Sequence, residues 1–259
     1  MCYIGFQGRF SVAVHFVSSL TWPQVRDVAS ARALAVLPVG AIEAHGPHLP
    51  LATDVVIAEA MARAGAERLS ARGFDVLVLP ALPFAAAPFA AGFAGTLHVD
   101  AGAVGTLVAD VARSLGRHGV RVMAIANAHF DPAHVAALRE VAGRVEGGDC
   151  RLVFPDLTRR RWAERLTDEF RSGACHAGRY EGSVVLAERP DWVRTDVMKD
   201  LEPNAASLVD AGRAGKRTFD EAGGPEAYFG APAEATAEDG RRIVEVLGEI
   251  LEEAVMEVA

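Results

Sequence analysis

Three side chains able to hold a metal ion follow one apolar run at close spacing: Glu43, His45 and Asp54, within AIEAHGPHLPLATD. Glu43 and His45 are two residues apart, so in extended backbone their side chains share a face. Asp54 follows nine residues after His45, beyond a loop bounded by Pro47 and Pro50, where a helical pattern begins. Nitrogen and oxygen donors of these types suit zinc, manganese or iron(II). A second pair repeats the arrangement downstream: His129 and Asp131, two apart, directly after the apolar run RVMAIA. If the two strands lie near one another, five ligands converge, and two divalent ions sharing one carboxylate account for that number. Asp131 also stands directly before Pro132, a position that suits a helix N-cap.

The elements that must position these residues alternate regularly. The pattern predicts a short helix over 20–29, with Thr21 as cap and Pro23 in its first turn. A buried strand over 33–39, a helix over 54–72 ended by Gly73, and a strand over 74–79 come next. A helix from the cap Asp100 to His118 leads to a strand over 121–126, a helix from Pro132 to about Val145, and a strand over 151–154. Strands alternating with helices predict an α/β fold, a three-layer αβα arrangement with a mainly parallel central sheet and ligands at the carboxyl ends of strands. Residues 155–232 read as irregular, and an amphipathic helix is expected from about Ala237 to Val258. Residues 1–19 read as an N-terminal arm ahead of a single domain over 20–259.

Composition excludes several classes. The 259 residues are 51% hydrophobic, with 26 basic against 34 acidic side chains and a net charge of −8. Arg159, Arg160 and Arg161 form the tightest basic run and would fan around a helix, so nucleic acid is not an expected partner. No apolar run approaches a membrane span. Cys2, Cys150 and Cys175 lack paired or metal-type spacing, and the N-terminus lacks the pattern of a signal peptide; a cytoplasmic location is expected.

LPVGAIEAHGPHLPLATD resembles the signature of the creatininase (creatinine amidohydrolase) family, and four further blocks resemble that family in order: Phe93-Ala94-Gly95-Thr96, Asn127 to Asp131, His176-Ala177-Gly178-Arg179-Tyr180-Glu181-Gly182-Ser183, and Gly230-Ala231-Pro232 with Ala235-Thr236 and Gly240. The resemblance implies a metal-dependent amidohydrolase that attacks an amide, lactam or formamide with a metal-bridging hydroxide. It implies two divalent ions, zinc first with manganese or iron as alternatives, and a homo-oligomer, often a hexamer. By position, Glu43, Asp54 and His129 would hold one ion, and His45, Asp54 and Asp131 the other. His176 and Glu181 match residues for proton transfer and for ordering the site.

Position 131 is Asp where creatininase has Glu, one methylene longer. Ala87, Phe89 and Ala90 stand where relatives often carry polar groups, which argues against creatinine as substrate. Arg179 matches relatives that trim a mycofactocin precursor peptide. The substrate is therefore expected to be a small amide or a short peptide, with peptide trimming or metal binding without catalysis as alternatives. Cys175, beside His176, offers a rival thiol nucleophile, although adjacent residues rarely face each other productively.

Overall fold

The computed structural model describes residues 13–30, 32–144 and 150–259; most of the expected arm, residues 1–12, lies outside them. Five strands form one sheet: β1 (Val14–Phe16), β2 (Ala33–Val39), β3 (Asp75–Val78), β4 (Val122–Asn127) and β5 (Arg151–Val153), in the order β1-β3-β2-β4-β5. All four pairings are parallel. This is the αβα arrangement expected from the alternation of elements. β2 and β4 are direct neighbours, with Val39 opposite Asn127, so the two ligand-bearing strand ends stand side by side.

Helices cover both faces. α1 (Trp22–Val28), α2 (Thr53–Ala71), α3 (Ala101–Arg117) and α4 (Pro132–Arg144) connect the strands. The short helices α5 (Arg160–Ala163) and α6 (Asp168–Ser172) precede α7 (Arg179–Glu188), and α8 (Thr195–Met198) and α9 (Leu208–Arg213) precede the final α10 (Ala237–Met256). Alternate residues of each strand serve opposite layers. Leu34 and Val36 of β2 and Ala124 and Ala126 of β4 join a core with α2, α7 and α10. Ala35, Leu37, Met123 and Ile125 join the other, with α3 and α4. β2 is buried along its whole length, as a central parallel strand with both faces covered must be.

Local chemistry explains the helix starts. Asp100 accepts from the amides of Gly102 and Ala103, and Thr21 and Gln24 form a capping box on α1. Two differences from the sequence expectation stand out. Val14–Phe16, assigned to the arm, pairs with β3 and closes that edge of the sheet. The stretch after 155 contains a ten-residue helix, α7, which packs against α2 and α10.

Candidate metal centre

Gly40 ends β2 where the chain turns across the start of α2. A Cβ there would strike the backbone of Asp54 and Val55, so the loop and the helix pack in direct contact. That contact brings Asp54, in the first turn of α2, beneath Glu43 and His45. His129 arrives from the end of β4, and His176 and Glu181 from the first turn of α7 and the residues before it. All six are buried.

The three imidazoles share one design. His45 donates its Nδ1–H to the carbonyl of Glu43 (3.0 Å), His129 its Nε2–H to Ala86 (2.9 Å), and His176 its Nε2–H to Ala44 (2.9 Å). A carbonyl can only accept, so each bond fixes the tautomer and leaves the other nitrogen's lone pair facing inward. His45 Nε2 lies 3.1 Å from Asp54 Oδ1 and 3.5 Å from Glu181 Oε2. His129 Nδ1 lies 3.0 Å from Asp54 Oδ2 and 3.1 Å from Glu43 Oε1. His176 Nδ1 faces Glu43 Oε1 at 3.9 Å. Neutral imidazoles and ionised carboxylates would meet there acceptor to acceptor. Either a proton or a cation must lie between them.

In the metal-free protein a proton does so at His45 and His129. Burial alone would depress His45, but Asp54, then Glu181 and Glu43, hold it up to about 10. His129 is likewise raised well above its ordinary value, burial being outweighed by Glu43 and Asp54. Asp54 is lowered against its burial by His45 and His129. Burial raises Glu181 to about 8 and lowers His176 to about 4, the second helped by the His45 charge. A divalent ion would displace these protons onto solvent and satisfy the same oxygens and nitrogens. Hydrogen bonds that orient the histidines from behind are the usual accompaniment of metal ligation. The residues fit.

Candidate ligand atoms approach within 4.8 Å of one another in three groups: Glu43, Asp54 and His129; His45, Asp54 and Glu181; and Glu43, His45 and His176. Asp54 is common to the first two, as a bridging carboxylate requires. The second group departs from the sequence expectation, for Glu181 rather than Asp131 stands with His45. Asp131 caps α4, its Oδ1 accepting from the Ala133 amide at 2.9 Å, while Oδ2 is buried without a partner among the described residues. The turn into α4 takes Asp131 away from the extended spacing that the pair 129/131 suggested, although it still lines the same cavity.

That cavity, about 350 Å³, opens beside Glu43 and His129. Its walls include Phe89, Phe130, Phe170 and Phe219; the sequence singled out Phe89 and placed Phe130 in the 127–131 block. Phe219 stacks against His176, centroids 4.3 Å apart. Phe170 and Phe219 lie in stretches without strong periodicity, and no local pattern marks them. Ala87 and Ala90 are buried, so neither offers a polar group to a substrate. Cys175 also lines the cavity, but burial and then the Glu181 and Glu169 carboxylates push its thiol well above the ordinary value, which keeps it protonated and non-nucleophilic.

Buried imidazoles and carboxylates at the carboxyl ends of adjacent parallel strands define a metal-binding hydrolase of α/β type. The family described as "Creatininase: Creatinine amidohydrolase" matches residues 18–255. The chain belongs to this creatininase family and is an amidohydrolase, acting on carbon–nitrogen bonds. It is 31% identical over 236 residues to the mycofactocin precursor peptide peptidase of Mycolicibacterium smegmatis, covering 89% of this chain and 87% of that protein. It is 32% identical over 205 residues to the creatinine amidohydrolase of Pseudomonas putida, covering 73% and 77%. A solved creatininase with manganese superposes with a TM-score of 0.69 at 26% identity, over 95% of this chain and 98% of that one. A Zn-Zn type of a mutant creatininase gives 0.66 at 27% identity, over 93% and 97%.

Proposed function

We propose that this protein hydrolyses an amide bond in a short peptide bearing a bulky apolar group beside the scissile carbonyl. The observation that carries this reading is the cavity: an apolar, aromatic-walled space leading directly to the buried Glu43, Asp54 and His129. Relatives named as precursor peptide peptidases, about as similar as the creatinine amidohydrolase, support it. A small cyclic amide such as creatinine is the second reading, favoured by that last relative. The lack of polar side chains at Ala87, Phe89 and Ala90 disfavours it.

Glu43, Asp54 and His129 would hold one divalent ion and His45, Asp54 and Glu181 the other, in a single hydrolase domain. Zinc is the first choice and manganese or iron the alternatives. Such ions supply a readily deprotonated water and polarise an amide carbonyl. His176 is the proton carrier. Its Nε2–H is committed to Ala44, so its Nδ1 accepts a proton from the attacking water and returns it to the leaving nitrogen. Phe219 and the buried walls exclude bulk water from that nitrogen. The same reading takes the protein as a cytoplasmic homo-oligomer, a hexamer, and the exposed Phe84 and Leu97, the second bonded through its amide to Ile42 of the site loop, support burial between subunits.

The test is a panel of short peptides with Phe, Tyr, Val or Gly at each position, set beside creatinine and simple lactams, with metal-loaded and chelator-treated enzyme. Metal-dependent cleavage next to bulky apolar residues is the expected result. Turnover of creatinine with no peptide cleaved would reject the peptide reading in favour of the second.

A further inference from the structure

Two of the sequence blocks, 176–183 and 230–240, are not fully explained by the metal centre, since Gly178, Gly230 and Ala231 do not line its cavity. A single carboxylate joins them. Glu169, in α6, accepts from the amide of Tyr180 on Oε1 (2.8 Å), and from those of Arg179 (3.0 Å) and Ala231 (2.9 Å) on Oε2. Arg179 and Tyr180 open α7, whose N-cap, Gly178, has no side chain to satisfy them. A helix start also favours a negative charge. The glycines are the complement of this anion: a Cβ on Gly178 or Gly230 would overlap the Glu169 carboxyl group.

The two functional side chains nearest this junction depend on its geometry. Glu181 lies in the same first turn, its Oε2 accepting from the Ala177 amide at 2.6 Å while facing His45. Ala177 itself is held at φ +53°, a conformation that a non-glycine residue keeps only under surrounding constraint. The carbonyl of His176 accepts from the Phe229 amide at 2.7 Å, so the 229–231 segment supports the histidine from behind. Glu169 fixes both supports at once, and it does not line the cavity.

We propose that Glu169 is a positioning residue for the catalytic centre: its carboxylate, bound by three backbone amides, locks the first turn of α7 to the 229–231 segment and so aims Glu181 at His45. This rests on the reading of Glu181 as a ligand of the second ion.

Glu169→Gln tests it, because the replacement has the same shape but must turn an NH2 toward at least one of the three donors. Metal-depleted protein is titrated with zinc and with manganese by calorimetry, and hydrogen exchange is followed by mass spectrometry in parallel. The expected result is a 10- to 100-fold weaker second ion, as is usual for loss of an outer support, with the first ion unchanged. Exchange should quicken at 177–183 and 229–232 and stay as in the wild type along α2. Glu169→Asp keeps the charge but loses reach, and should weaken the second ion to a lesser degree. Wild-type affinity for both ions with unchanged exchange in either variant overturns the proposal. Equal weakening of both ions with faster exchange along α2 also overturns it, since that is general destabilisation. A wild-type protein that takes up fewer than two ions rejects the two-ion reading instead, and the exchange pattern of the variants then decides the role of Glu169.

Discussion

His45 and Glu181 meet with Nε2 and Oε2 3.5 Å apart, one carried by the loop after β2 and the other by α7. Neither has the proton affinity of its kind in water: the histidine is held up to about 10 and the glutamic acid to about 8. A buried pair that keeps protons so firmly in the absence of metal is one a divalent cation can discharge.

Metal content separates Asp131, the ligand expected from the sequence, from Glu181, the carboxylate grouped with His45 and Asp54. Loaded protein should hold two divalent ions per chain by elemental analysis. Asp54→Ala should hold neither and Glu181→Ala one, whereas Asp131→Asn, which keeps an acceptor for the Ala133 amide, should keep both. Loss of an ion from Asp131→Asn with none lost from Glu181→Ala would return the second ligand to Asp131.

The protons held in the site should make ion binding depend on pH. Binding requires His45 and Glu181 to be deprotonated. Both carry protons below pH 8, and His45 does so up to about pH 10. Affinity should therefore rise with pH, by about tenfold per unit for each proton released, more steeply below pH 8 than above it. Titrations in metal buffers from pH 6 to 9 measure the slope. An affinity independent of pH over 6–8 would contradict this protonation.

A chelator and one substitution distinguish water from thiol as nucleophile. Chelation should abolish turnover, and Cys175→Ser should change it by no more than about twofold, because the raised thiol contributes no thiolate at neutral pH. An active chelated enzyme together with an inactive Cys175→Ser would reverse the assignment.

His176 should matter to turnover and not to metal content. His176→Ala is expected to lower kcat on the order of a hundredfold or more and to retain both ions, its Nδ1 standing 3.9 Å from Glu43. Parallel loss of an ion would make it a ligand in the group it forms with Glu43 and His45.

Much of this architecture is written in local pattern. The seven apolar residues Ala33–Val39 give β2 its bounds, Asp100 and Pro132 mark two helix starts, and the donors Glu43, His45, Asp54 and His129 follow from their places at strand ends. The remainder depends on distant partners. Val14–Phe16 is too short to announce itself and becomes a strand because β3 has an edge to pair. Where Asp131 and Glu181 come to lie relative to His45 depends on the turn into α4 and on the packing of α7 on α2 and α10, neither of which is a property of spacing. Glu169 stands among the short helices α5 and α6, where nothing marks it until the amides of Arg179 and Ala231 are seen to point at it.

The all-parallel sheet has a consequence for the order of events in synthesis. Parallel neighbours need a crossover between them, so no pair of these strands can zip through a tight hairpin. β2 meets β4 only after α2, β3 and α3 have been made, a long-range pairing of the kind that slows folding. Glu43, His45 and Asp54 are made before His129, and His129 before Glu181. A growing chain therefore holds only part of this buried cluster until the residues of α7 have been made.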